Sequence, residues 1–390
     1  MPDRRRRLAR VPCAVLAGLW LAACGNEPPG MAADAGPGEG TIVATLPVGV
    51  IALAIAEDAS RLEVLGGIAF PDGGVAIGVY GIEDGRAVPE SIDPTVRWED
   101  YFVVPEYVRP LGFTVVSRTA FLRGFEGITV VPLDGSPWRW LYRPFLGEDG
   151  GVVLGEDGGV KRGFYGFPLT EGPDPVDFAV EPDGSVLIVG EGRDSSAGIA
   201  CHLGRYSLSG GWTEVLSLGD ECTFGSHLLA TPDHLDVTTN FHFWRVDRAT
   251  LDAGILVRDF PGTSAYGELL TAVGDRTALV TIDPAGESRV EVTPAGVVHE
   301  VARFTWNQDP ATGIAVEGED LDLLSLLQLR RLHPDGGMEV LARVSSGGFG
   351  VPGDLSRLVV TDGGVYALHL VSTDAGIVST VRSVPRSTRH

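Results

Sequence analysis

Apolar residues along this chain come in short runs that end at Gly, Pro and Asp. Three stretches repeat one pattern: IAFPDGGVAIGV (68–79), FAVEPDGSVLIV (178–189) and LLATPDHLDVTT (228–239). Each reads as a strand, a Pro-Asp turn and a second strand, because Pro presets φ and Asp bonds its own backbone. TAVGDRTALVT (271–281) and IAVEGEDLDLL (314–324) are weaker versions. A second hairpin is predicted in FHFWRVDRATLDAGILVRDF (241–260), SRVEVTPAGVVHEVARF (288–304), LQLRRLHPDGGMEVLAR (327–343) and YALHLVSTDAGIVSTVRSV (366–384). Long amphipathic helices are hard to find. The pattern of EDLDLLSLLQLRRL (319–332) also suits a helix, but the phase of the repeat favours two strands there.

The turn glycines of the second hairpins are Gly254, Gly296, Gly336 and Gly376, at intervals of 42, 40 and 40 residues. Gly210 lies 44 residues before Gly254, and Gly135 lies 75 earlier again, close to two periods, with Gly172 between them. Two hairpins per period make one four-stranded sheet. Such a sheet cannot bury both faces alone, so neighbours must stack, and closing the stack into a ring protects its ends. The pattern resembles a β-propeller, an all-β fold, rather than a β-solenoid or a pair of sandwiches. The length gives about seven, or eight, four-stranded blades at one period each. Residues 145–175 are Gly-rich and short of strand pattern, which suggests one degenerate blade there. Thr250–Gly254 and Ser372–Gly376 resemble the Asp box of sialidase-type propellers, a structural turn between third and fourth strands, although Val257 and Ser379 replace its closing Trp.

The N-terminus is different. Arg4 to Arg7 and Arg10 precede a thirteen-residue apolar run, Val11 to Ala23. As a helix it would reach only about 20 Å, too short for a bilayer core of roughly 30 Å. A basic start, a short apolar middle and small residues at the end describe a secretory signal peptide over residues 1–23. Leu21-Ala22-Ala23-Cys24 resembles the lipobox of bacterial lipoproteins, which implies cleavage before Cys24 and a lipid on its thiol. Residues 24–40 then form the lipidated cysteine and a flexible Gly/Pro/Ala tether, and residues 41–390 the propeller domain. The tether beyond Cys24 would span roughly 20 to 25 Å as a coil. In that family an Asp after the cysteine marks inner-membrane retention, so Gly25 implies the outer membrane of the cell envelope.

Without residues 1–23 the chain has 25 basic and 51 acidic residues, a net charge of −26, with Lys161 its one lysine. Such a surface repels phosphate backbones, which argues against nucleic acid as a partner. Two cysteines remain beyond the anchor, Cys201 and Cys222. In an exported domain they read as one disulfide.

No nucleophile elbow, second zinc-site histidine, haem motif or calcium loop accompanies these features. Neither a catalytic residue nor a cofactor or metal is assigned from the sequence. Propeller geometry does sort loops by rim. The second-to-third-strand turns and the blade-to-blade connections share the top, where propellers bind ligands. The Pro-Asp and Asp-Ala-Gly turns are expected on the bottom. GEGRDSSAG (190–198) is expected to be a long top loop, GDECTFGSH (219–227) and TWNQDP (305–310) blade connections, and NFHF (240–243) a tight turn. They supply a candidate rim of Arg193, Asp194, Glu221, His227, Asn240, His242, Trp306, Asn307 and Asp309. Four of the eight histidines fall between His202 and His242, and two of the three asparagines are on this rim. Imidazole and carboxylate together suit a divalent metal. Two functions are therefore expected: a lipid-anchored module that binds a protein or small-molecule ligand, or a metal-assisted hydrolase or lactonase resembling gluconolactonases.

Overall fold

The computed structural model describes residues 40–59, 61–69, 75–97, 112–124, 127–142, 173–194, 198–207, 211–219, 222, 226–239, 241–248, 255–259, 267–283, 286–304, 311–325, 327–343, 358–361, 364–373 and 376–384. Every regular element among them is a strand. The chain opens with β1 (Thr41–Thr45). Blade 1 is β2 (Val50–Asp58), β3 (Arg61–Ala69), β4 (Val75–Glu83) and β5 (Arg86–Arg97). Blade 2 is β6 (Gly112–Val116), β7 (Thr119–Gly124), β8 (Gly127–Pro132) and β9 (Arg139–Tyr142). Blade 3 is β10 (Asp174–Val180), β11 (Val186–Asp194), β12 (Gly198–Ser207) and β13 (Gly211–Ser217). Blade 4 is β14 (Leu228–Ala230), β15 (His234–Thr238), β16 (His242–Asp247) and β17 (Ile255–Asp259). Blade 5 is β18 (Gly267–Val273), β19 (Arg276–Asp283), β20 (Gly286–Val292) and β21 (Val298–Phe304). Blade 6 is β22 (Ala311–Glu317), β23 (Asp320–Ser325), β24 (Gln328–Leu332) and β25 (Met338–Arg343). Blade 7 takes β26 (Leu358–Thr361), β27 (Gly364–Thr373) and β28 (Gly376–Val384), and its fourth strand is β1.

Blades 2 to 6 are separate four-stranded antiparallel sheets. Blades 1 and 7 run on as one eight-stranded sheet, joined where Thr45 of β1 pairs with Arg86 of β5. First strands touch in the order β2, β6, β10, β14, β18, β22, β26 and back to β2, so the ring closes on seven blades. This is the β-propeller expected from the repeat. Residues 319–332 are two strands, as the repeat phase requires.

The core lies between blades. Leu65, Ile77 and Val79 of blade 1 pack on Phe113, Val115 and Leu122 of blade 2. Similar apolar layers join blades 2 and 3, 3 and 4, 5 and 6, 6 and 7, and 7 and 1. Each layer buries the faces that an isolated sheet would leave in water. Blades 4 and 5 meet through a buried ion pair. Arg245 grips Asp236 at 2.8 and 2.9 Å and reaches Thr277 and the Thr293 carbonyl of the next blade.

Ring closure corrects the phase predicted at both ends of the chain. Because β1 is the fourth strand of blade 7, the hairpin at 366–384 is the second and third strands of that blade. The Ser372–Gly376 turn therefore falls on the top rim, not the bottom. The stretch 68–79 likewise takes in the end of β3 and the start of β4, second and third strands rather than first and second, and its Pro71-Asp72 lies outside the described residues. The degenerate blade expected at 145–175 falls almost wholly outside the described residues. Blades 2 and 3 touch directly, with Phe121, Ile128 and Tyr142 against Phe178 and Ile188. Gly135 and Gly210 are one blade apart, and residues 143–172 between them lie outside the described residues. The stretch 190–198 is not a long loop, since the ladder continues from Gly190↔His202 to Asp194↔Gly198 and leaves a three-residue connection.

Candidate functional site: the top rim of blades 3 to 6

Cys201, early in β12, is bonded to Cys222 in the connection from blade 3 to blade 4, with Cα atoms 5.0 Å apart. Both cysteines are buried. The Leu218 amide donates to the Cys201 carbonyl at 2.8 Å, so the start of this connection is held by a covalent bond and a backbone bond. His202, the next residue, packs over Gly192, where a Cβ would sit 2.7 Å from the ring.

His227 closes the same connection. Its amide donates to Thr238 Oγ1 at 2.8 Å, its carbonyl accepts the Thr238 amide, and its Nδ1 lies 3.7 Å from Asp177 Oδ2 on β10. Asp177 also accepts the Leu228 amide at 2.8 Å, which fixes the first residue of β14. Burial works against the Asp177 charge, yet the His227 ring, Arg123 and the Leu228 amide together hold its carboxyl below the ordinary range. Glu287 likewise anchors the first residue of a strand, at the interface of blades 5 and 6: buried, it accepts the Ala311 amide at 2.6 Å and pairs with Arg330 at 3.1 Å.

Two second-to-third turns are built alike. Thr239 Oγ1 accepts the His242 amide at 3.1 Å and donates to the His242 carbonyl at 3.2 Å. Ser325 Oγ does the same for Gln328, at 3.3 and 3.0 Å. The hydroxyl satisfies both backbone groups of a tight turn. Each turn presents an exposed apolar residue, Phe241 in blade 4 and Leu327 in blade 6. The His242 ring lies edge-on to Trp244, with centroids 5.8 Å apart.

Of the sequence-derived rim residues, the structure describes the side chains of His227 and His242, and both stand on the top rim. Arg193 and Asp194 end β11 on that rim, their backbones paired with Ile199 and Gly198. Glu221, Asn240, Trp306, Asn307 and Asp309 lie outside the described residues. His234 belongs to the opposite rim, 3.2 Å from Asp236. Among the described residues no three His, Cys, Asp or Glu side chains converge as metal ligands. Sequence reading missed Asp177, Glu287, Phe241 and Leu327. Asp177 had a signal: a carboxylate inside the apolar run VDFAV needs a buried partner.

No protein-family profile and no curated protein sequence matches this chain. Solved structures do resemble it. A puromycin-hydrolysing peptidase of Mycobacterium tuberculosis aligns over 90% of this chain and 57% of its own, at 12% identity and a TM-score of 0.54. A streptogramin B lyase aligns over 85% and 93%, at 13% identity and a TM-score of 0.49. The virginiamycin B lyase of Staphylococcus aureus aligns over 71% and 95%, at 17% identity and 0.41. At these identities the likeness concerns the fold alone.

Proposed function

We propose that this chain is a lipid-anchored cell-envelope propeller whose top rim binds a partner. The reading is carried by the preorganised rim of blades 3 and 4. A disulfide, the His227–Asp177 pair and the hydroxyl-closed Thr239 turn hold its connections in place. Ordering done in advance lowers the entropic cost of association. Phe241 and Leu327, exposed at the tips of two rigid turns, supply apolar contact area. The Cys24 lipid keeps the module at the membrane, and the tether after it leaves the rim free to meet a partner.

Two measurements test this. Labelled fatty acid should enter the wild-type chain and be absent from Cys24→Ala, which should leave the membrane fraction; equal labelling would remove the anchor. Photo-crosslinkers placed at Phe241 and Leu327 in the producing cells should trap one common species, and a crosslinker at Asp183, on the bottom rim, should not. No adduct at either tip would overturn the binding role.

A further inference from the structure

Large aliphatic residues are exposed at one recurrent position, the start of the fourth strand. Ile255 opens β17 in blade 4 and is 70% exposed, with Leu256 beside it also exposed. Val297 immediately precedes β21 in blade 5 and is 51% exposed. Met338 opens β25 in blade 6 and is 50% exposed. In blade 7 the fourth strand is β1, where Ile42 is 53% exposed. Single exposed aliphatics are ordinary, but the same position on four consecutive blades is an edge. Blades 2 and 3 treat this position differently. Trp138, just before β9, donates to Ser91 of blade 1 at 2.7 Å, and Trp212 of β13 stacks on Tyr142 of blade 2. Aromatics there turn inward, whereas the aliphatics of blades 4 to 7 stay in water.

The N-terminal segment joins the ring at this same edge. Gly40 precedes β1 with φ +76°, and a Cβ there would lie 2.9 Å from the Ser383 carbonyl oxygen. Thr41 pairs with Ser383, near the bottom end of β28, so the chain enters β1 at the bottom edge of blade 7. The edge that carries the aliphatics is therefore the one at which the chain enters the ring.

We propose that the bottom edge of blades 4 to 7 rests on the lipid surface that holds the Cys24 anchor, with Ile42, Ile255, Val297 and Met338 entering the headgroup region and the top rim facing away. This rests on the lipid-anchor reading given above. The contact is apolar rather than electrostatic. Exposed Asp275 and Asp335 on nearby bottom turns would be repelled by anionic headgroups. Shallow aliphatic contacts add to an acyl chain, which alone binds marginally.

The full lipidated chain in phosphatidylcholine vesicles tests it. After processing, Cys24 is acylated and Cys201–Cys222 bonded, so an introduced cysteine is the free thiol for a fluorescent label. The label on Val297→Cys should be quenched by nitroxide lipids about tenfold more than the label on Leu327→Cys, because the two occupy opposite rims. Adding Ile255→Ser and Met338→Ser, both at exposed positions, should reduce the quenching at 297, and so should phosphatidylglycerol. If the protein floats with the vesicles and both labels are quenched equally or not at all, the edge contact is wrong and the anchor stands. If the protein does not float, both readings fail, because the edge alone then holds no lipid.

Discussion

Glu63 shows how far burial and a like-charged neighbour can move a carboxyl in this ring. Its side chain is fully buried on β3, beside Glu90, with Arg61 and Arg118 as counter-ions. Arg118 donates to Glu63 at 2.7 Å, while the second Glu63 oxygen has no donor among the described residues. Burial and the like charge of Glu90 outweigh both arginines, and the carboxyl is pushed up to about 7 from an ordinary value of 4.5. A carboxyl with a raised folded pKa holds more protons folded than unfolded. Its contribution to stability is complete below about 4.5 and lost as pH rises through about 7. Glu63→Gln should match the wild type near pH 5 and exceed it near pH 8 by about 2 kcal/mol in denaturant titrations. A constant difference across that range would show that Glu63 stays ionised. Asp236 behaves in the opposite way: despite its burial, Arg245, His234 and Thr277 keep its carboxyl low. These pairs were only partly legible. HLDVTT and FWRVD each place a charge inside an apolar strand, which signals a buried partner but not which one. Here Asp236 and Arg245 face each other across β15 and β16, a pairing that depends on the register of the hairpin.

At the level of elements, turn chemistry was the readable component. Pro182-Asp183 and Pro232-Asp233 make the first-to-second turns predicted for them, and Asp183 accepts the Ser185 amide at 2.9 Å. The pairing of Cys201 with Cys222 was also legible, because the repeat put both at one rim. The repeat could not show that the first strand of the chain completes the last blade, since β1 and β28 are over 300 residues apart and share no local signal. The phase was therefore misread at residues 68–79 and 366–384. The disulfide closes a loop with a sequence separation of 21 and should contribute about 3 kcal/mol. The double variant Cys201→Ser, Cys222→Ser leaves no unpaired thiol and should lose that amount in urea unfolding. Amide exchange should accelerate in residues 218–228 while β19 and β23 keep their protection. Loss of protection throughout the ring would make the bond a global staple rather than a clamp on one connection.

The whole molecule is a ring whose last joint is non-local, and that joint should govern its cooperativity. Among the described residues, apolar layers join six pairs of neighbouring blades, and the Asp236–Arg245–Thr277 cluster bridges blades 4 and 5. At the joint, β1 pairs with β28 from Thr41↔Ser383 to Thr45↔Thr380, and the Leu46 amide donates to the Ser379 carbonyl at 3.0 Å. Ala44 and Leu46 are buried there against Leu368 and Val381. Without β1 the outer edge of β28 would be an unpaired strand, open to pairing with another copy. Removing residues 1–39 should leave the melting temperature unchanged, because the pairing that closes the ring begins at Thr41. Removing residues 1–45 should cost about 5 kcal/mol, from roughly four ladder hydrogen bonds near 1 kcal/mol each plus the lost burial. The shorter protein should also form dimers or larger species as its concentration rises, since the edge of β28 is then bare. A synthetic peptide of residues 40–45, added in excess, should restore both the melting temperature and the monomer. If the chain lacking 1–45 melts like the chain lacking 1–39, β1 does not close the ring. If the peptide rescues neither property, the loss came from fraying of residues 46–49 at the top connection instead.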